Sequence, residues 1–256
     1  MIRKTFLILT AFVCSVIAQS NPDGLEIMRK VYERPAGEDM KASLIMTLRN
    51  SRGDTRERSI RQFLKISSDV EKKLMFFIEP ADVRNTAFMN WSYTEAGKDD
   101  DQWIYLPALK RIKRISSSGK SDYFMGSDFT YDDLGDRHPD EDTHRLSATE
   151  EIDGTKCLVV ESVPEEKGYM YSRTVTWVIE DVWIGLKKEF YDDQGGLLKV
   201  LRVKDYSKID GYWTVTHTEM HNVQKDHTTI MKLSDIEYDT EISGSLFSER
   251  TMQRGL

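Results

Sequence analysis

Ser118-Gly119-Lys120-Ser121 has the residue types that end a phosphate-binding loop. A complete P-loop also needs glycine where Arg114 stands and a buried parallel strand ahead of it. His217 and His221 have the spacing that binds zinc from one face of a helix. Here they alternate with threonines in Trp213-Thr214-Val215-Thr216-His217-Thr218-Glu219-Met220-His221, which reads as a strand. Four strand residues span ~13 Å, too far for two side chains to share one metal. His138, His144 and His227 form no readable cluster. The acidic runs Asp99-Asp100-Asp101 and Asp132-Asp133 lack the spacing of a calcium loop and a facing partner for acid–base work, so they read as solvated turns. Gly126-Ser127 has no nucleophile-elbow pattern and no identifiable base. The sequence therefore predicts no enzyme, no metal site and no cofactor.

One basic patch stands out. Lys110, Arg111, Lys113 and Arg114 lie close together, near Trp103 and Tyr105. Such a patch meets nucleic acid, lipid phosphates or an acidic partner protein. The chain has 36 Lys+Arg against 43 Asp+Glu, a net charge of −7, which argues against nucleic acid because that contact needs a broad basic footprint. A disordered chain is also excluded, since 10% of the residues are aromatic and 39% are hydrophobic.

The elements that must carry these residues are mostly strands. Leu25, Met28, Val31 and Tyr32 predict one amphipathic helix, with Asp23 as N-cap and Pro35 beyond its end. The period then changes to 2. Ala42, Leu44, Met46 and Leu48 share one strand face, Ser51-Arg52-Gly53-Asp54 is a turn, and a second strand returns through residues 60–66. Ten further runs follow at 73–78, 87–93, 102–106, 110–115, 156–163, 172–179, 186–191, 197–206, 212–223 and 229–238. Asp153-Gly154, Asp193-Gln194-Gly195-Gly196 and Asp210-Gly211 are hairpin turns between them. The pattern predicts one largely antiparallel, β-rich domain over residues 19–256.

Residues 1–18 read as a signal peptide, with Arg3 and Lys4 before an apolar run from Phe6 to Ile17 and cleavage near Ala18. Val13 before Cys14 argues against a lipoprotein signal. Cleavage leaves 34 basic against 43 acidic residues, or −9, and Cys157 as the one thiol. Cys157 sits in an apolar β-like run and is expected to be buried and inert.

Residues 116–142 break the strand rhythm. They concentrate Tyr123, Phe124, Met125, Phe129, Tyr131 and Leu134, too many bulky apolar groups for an exposed loop. Two readings use the same residues: a fixed crossover covering one sheet face, and a movable cover over an apolar groove. Asp128 is a candidate cap for a short helix holding Asp132, Asp133 and Leu134.

Three ordered segments carry a resemblance. Residues 79–88 (Glu-Pro-Ala-Asp-Val-Arg-Asn-Thr-Ala-Phe), 103–115 (Trp-Ile-Tyr-Leu-Pro-Ala-Leu-Lys-Arg-Ile-Lys-Arg-Ile) and 124–134 (Phe-Met-Gly-Ser-Asp-Phe-Thr-Tyr-Asp-Asp-Leu) resemble motifs of the outer-membrane lipoprotein-sorting protein family, the LolA-like relatives of the periplasmic lipoprotein carrier. The likeness runs to Phe247-Ser248-Glu249-Arg250. It implies an open, strongly curved antiparallel sheet, a half-barrel of about eleven strands, with helices on its concave face. It also implies a periplasmic carrier of lipoprotein acyl chains or lipid, serving an inner-membrane lipid transporter. The shorter carriers lack the motifs at 103–134, so their lid-locking arginine has no numbered equivalent here.

On that resemblance the expected groove and lid are Leu44, Met46, Phe77, Phe88, Trp91, Trp103, Tyr105, Phe124, Met125, Phe129 and Leu134. Lys110, Arg111, Lys113 and Arg114 are the expected partner-docking surface. An acyl chain of sixteen carbons carries ~12 kcal/mol of hydrophobic cost in water, which a curved sheet with alternating faces can absorb. Two rival classes remain: a sensor of the same fold that signals through a protein partner, and a hydrolase using His217 or the acidic runs.

Overall fold

The computed structural model describes residues 23–256, so the expected leader and Cys14 lie outside the described residues. Helix α1 (Gly24–Tyr32) comes first, followed by strands β1 (Asp39–Arg49), β2 (Thr55–Ile66), β3 (Val70–Glu79), β4 (Ala87–Tyr93), β5 (Asp101–Leu106) and β6 (Arg111–Ile115). After residues 116–141 come β7 (Asp142–Ile152), β8 (Thr155–Pro164), β9 (Arg173–Ile179), β10 (Ile184–Tyr191), β11 (Leu197–Ile209), β12 (Tyr212–Asn222) and β13 (His227–Tyr238), then helix α2 (Glu249–Arg254).

All thirteen strands form one antiparallel sheet in the order β6-β5-β4-β3-β2-β1-β13-β12-β11-β10-β9-β8-β7. Two meanders meet where β1 pairs with β13, Met46 opposite Met231. The turns that were expected to reverse the chain do so: Asp153 and Gly154, and Asp210 and Gly211, all have positive φ, as hairpin turns of two residues require.

The topology makes β6 and β7 the two sheet edges although they are consecutive in the chain. Strands lie ~4.8 Å apart, so a flat sheet of this width would separate its edges by roughly 55–60 Å. Instead Gly97 N, just before β5, donates to Glu141 Oε1, just before β7, at 3.4 Å. The sheet therefore curves until its ends approach without pairing, and residues 116–141 bridge them across the inner face.

The strand number is thirteen, against about eleven expected. Twelve are the periodic runs read from the sequence, and β7 is the one those runs omit. Asp142–Ile152 is half-buried on one side and exposed on the other, with no buried residue. Its polar side chains carry no apolar alternation, as suits an edge strand.

The helices also depart from expectation. α1 does lie on the inner face, where Ile27, Met28 and Val31 pack against Leu158, Val160 and Val178. Gly24 allows this, because a Cβ there would stand 2.8 Å from the β7 backbone at Arg145 N. α2 instead covers the outer face, beside β4 and β6. Phe247 and Met252 bury Leu74, Phe76, Ala87 and Met89, an outward apolar set that needs its own cover.

Candidate functional site

The inner face carries one large apolar cluster. Leu44, Met46 and Leu48 of β1, Ile60 of β2, Met75 and Phe77 of β3, and Phe88 of β4 meet Phe124, Phe129 and Leu134 from the crossover. Tyr171, Phe190 and Met220 close it from the other half of the sheet, with Met125 packed at its border. Phe124 is the hub: its ring lies 5.1 Å from Phe88 and 5.9 Å from Phe77, centroid to centroid.

Eight of the eleven expected groove residues are thus brought together: Leu44, Met46, Phe77, Phe88, Phe124, Met125, Phe129 and Leu134. Trp91, Trp103 and Tyr105 are not. They lie on the outer face under α2, with Trp103 opposite Met89 and Tyr105 opposite Ala87. Strand parity explains the correction. Phe88 and Trp91 are three residues apart on β4 and so point to opposite faces. The sequence alone held that signal.

The crossover is tied down by polar contacts on both halves of the sheet. Asp128 N donates to Thr229 Oγ1 at 2.8 Å, and the same hydroxyl donates to Asp128 Oδ2 at 2.7 Å. His227 Nδ1 donates to that carboxylate oxygen at 2.7 Å. On the other half, Lys73 Nζ reaches Leu134 O at 3.0 Å, Gln102 Nε2 reaches Tyr131 O at 2.8 Å, and Arg58 donates to Met125 O. Asp128 does not cap the short helical turn Asp132–Leu134, as was expected. It anchors the crossover to β13.

The acidic pair Asp132-Asp133 is no solvated turn. Asp133 forms an ion pair with Lys199, whose side chain is 0% exposed, and accepts from Tyr171 Oη at 2.9 Å. Lys199 Nζ also donates to Asp128 O at 3.1 Å. Tyr169 donates to Asp132. Burial, aided by the nearby carboxylates, raises both tyrosine hydroxyls well above their usual range, which keeps them protonated donors. Burial likewise raises the Asp132 carboxyl.

Lys199, Gln102, Asp128 and the two tyrosines are the residues the sequence reading missed as site residues. Lys199 shares an inward-facing row with Phe190 and Asn222, and a lysine in such a row was its signal. His217 and His221 sit in β12 on the strand spacing that separates them, and His217 Nε2 faces Glu219 at 3.6 Å. Cys157 is buried, and burial raises its thiol. The basic residues Lys110, Arg111, Lys113 and Arg114 are exposed along edge strand β6 and the turn before it, with Arg114 paired to Asp101.

Comparison with known proteins places this architecture. A family model described only as an uncharacterized protein matches residues 69–254. No curated protein matches the chain. Among solved structures, a protein described as an outer membrane lipoprotein-sorting protein domain from Vibrio parahaemolyticus is 36% identical, covers 90% of this chain and 98% of its own, and superposes with a TM-score of 0.85. A DUF1329 family protein from Desulfovibrio piger is 31% identical over 90% of this chain and 97% of its own, also at 0.85. A LolA superfamily protein from Nitrosomonas europaea, at 19% identity and a TM-score of 0.70, shares the fold over 90% of this chain and 100% of its own. The three motifs, the open curved sheet and the match along nearly the whole described chain agree: the protein belongs to the outer-membrane lipoprotein-sorting protein family, with a LolA-like fold.

Proposed function

We propose that the protein is a periplasmic carrier that holds a hydrophobic or acylated ligand, an outer-membrane lipoprotein or a lipid, against the inner face of its sheet. The observation that carries this reading is the inner-face cluster itself. Its apolar wall is made mostly by strands, while its cover is the crossover contributing Phe124, Phe129 and Leu134, flanked by Tyr171 from the β8–β9 loop. Displacing those side chains would leave a continuous apolar surface for an acyl chain. At ~0.8 kcal/mol per CH₂, a long chain gains enough there to offset the contacts it replaces. Met125 and Met231 at the border add adaptable packing. The protein does no chemistry on its cargo and works without metal or cofactor.

Export by the N-terminal leader puts the carrier in the compartment its cargo crosses. The exposed row Lys110, Arg111, Lys113 and Arg114 on the β6 edge would dock an acidic surface of an inner-membrane transporter that donates the ligand. The same row favours a second reading, a sensor of the same fold that signals through a protein partner.

Native mass spectrometry of protein purified from periplasm tests the carrier reading. Bound lipid or acylated polypeptide is expected. A uniformly ligand-free protein that also fails to take up acyl chains would overturn it. Uptake that survives charge reversal of the basic row, with loss of partner capture, would separate docking from carriage.

A further inference from the structure

A cavity of about 970 Å³ lies between the β4–β5 loop, the two ends of the crossover and the β8–β9 loop. It borders the apolar cluster at Tyr169 and Met170 but is strongly acidic: eight lining residues carry carboxylates and three are basic. The three cations are already engaged or outnumbered. Lys120 pairs with Asp99 at 3.4 Å and Arg137 with Glu141 at 3.0 Å, while Lys98 stacks on Tyr93. Asp100, Asp132 and Asp136 have no cationic side chain within 4 Å among the described residues.

The wall also holds an acceptor without a donor. Gln102 is 0% exposed and lines the cavity. Its Nε2 donates to Tyr131 O, which can only accept, so the amide orientation is fixed. That leaves Oε1 buried with no hydrogen-bond partner among the described residues. Its cross-strand neighbour Asn90 is oriented alike: Nδ2 donates to Ser92 Oγ at 2.7 Å, Ser92 passes its proton to Asp100 at 2.8 Å, and Asn90 Oδ1 is left unpartnered. A buried acceptor normally finds a donor, because leaving it unmade costs about 1–3 kcal/mol.

We propose that this cavity binds an organic amine, drawn in by the carboxylates of Asp100, Asp132 and Asp136 around its wall, with Gln102 Oε1 as a spare acceptor for its N–H groups. Excess carboxylates and spare acceptors call for a cation rich in N–H donors. A bare metal ion fits less well. Among the described residues, no three His, Cys, Asp or Glu side chains converge as a metal shell requires, and the carboxylates stand around a wide space.

The buried charge supports the same ligand. Burial, with the Glu71 and Asp100 carboxylates beside it, pushes the Asp136 carboxyl up to about 7. Lys73 on β3 and Arg34 after α1 only partly offset this, and Tyr32 faces the same group. An ammonium in the cavity would keep Asp136 ionised, so binding should strengthen between pH 6 and pH 8.

The chemistry is shared by a free polyamine and by the amine of a lipid headgroup. The proposal stands apart from the carrier reading, since neither requires the other. Isothermal titration calorimetry on the full chain at pH 8 would use spermidine, glycerophosphoethanolamine, glycerophosphoglycerol and calcium chloride, the two headgroup probes carrying no acyl chain for the apolar face to take up. Saturable binding of one spermidine or one glycerophosphoethanolamine molecule is expected, with glycerophosphoglycerol silent. The tighter of the two amines identifies the source. Affinity should fall at least tenfold in Asp136→Asn and in Asp100→Asn, and also at pH 6. Because these buried positions can affect folding, the exposed pair Glu165→Gln and Glu166→Gln on the cavity rim should weaken binding at least threefold without altering the circular dichroism spectrum. Silence from both amines, equal binding by calcium, or affinity unchanged in folded variants would overturn the proposal.

Discussion

Lys199 of β11 and Asp133 of the crossover form an ion pair inside the protein, with side chains 0% and 6% exposed. The lysine is enclosed by Phe190, Tyr171 and Tyr123, with Nζ 5.0, 5.1 and 5.9 Å from the ring centres. Sixty-six positions separate the two residues, so the pair fastens the crossover to the opposite half of the sheet.

Removing one partner should be costly. Lys199→Met keeps the volume but strands the Asp133 carboxylate, at a cost of about 3–5 kcal/mol. Adding Asp133→Asn should recover part of that loss. Urea denaturation of the two single variants and the double variant measures the coupling, and additive effects would mean that the pair does not act as a unit.

Phe124 is 1% exposed at the centre of the inner cluster. Phe124→Ala should destabilise the fold by about 3–5 kcal/mol through the cavity it leaves. If the crossover also covers the ligand site, Phe124→Asp and Met125→Asp should impair acyl-chain uptake. Unchanged affinity with lowered stability would assign these side chains to the core alone.

The raised carboxyl of Asp136 ties stability to pH. Its folded value of about 7 exceeds the ordinary value of 3.8. Between those limits the folded state holds a proton the unfolded state has released, so stability falls as pH rises, by up to about 1.4 kcal/mol per pH unit. The loss should level off above pH 7. Asp136→Asn should flatten this part of the profile and be more stable than the parent at pH 8, as measured by chemical denaturation at fixed pH values.

Gly24→Ala should loosen α1 from β7, since the added methyl meets backbone at 2.8 Å and no flexible side chain can yield. A cost of about 1–3 kcal/mol is expected, the range for overpacked sites. Hydrogen exchange should locate it in residues 24–32 and β7.

Much of this arrangement was legible in the sequence, and the failures have physical causes. Alternation placed twelve strands, and Asp-Gly pairs placed hairpins, because a half-buried strand writes its two faces into the chain. β7 was hidden because an edge strand buries too little to impose that alternation. Leu44, Met46, Phe77, Phe88 and Phe124 were found because bulky apolar residues mark a core. Trp91, Trp103 and Tyr105 have the bulk of groove residues, but strand parity turns them to the outer face. The partners of Lys199, Asp128 and Gln102 lie 101 to 29 positions away, and only the closed topology reveals them. The acidic cavity is likewise assembled from three loops that the sequence gives no reason to join.

In the proposed carrier, an acyl chain takes the place of the crossover's apolar side chains on the inner face. Hydrogen–deuterium exchange of the full chain, with and without a sixteen-carbon acyl ligand, tests it most directly. Saturable one-to-one binding should speed exchange in residues 123–134 while β1, β3 and β13 stay protected. No binding, or binding that leaves residues 123–134 unchanged, would contradict the account.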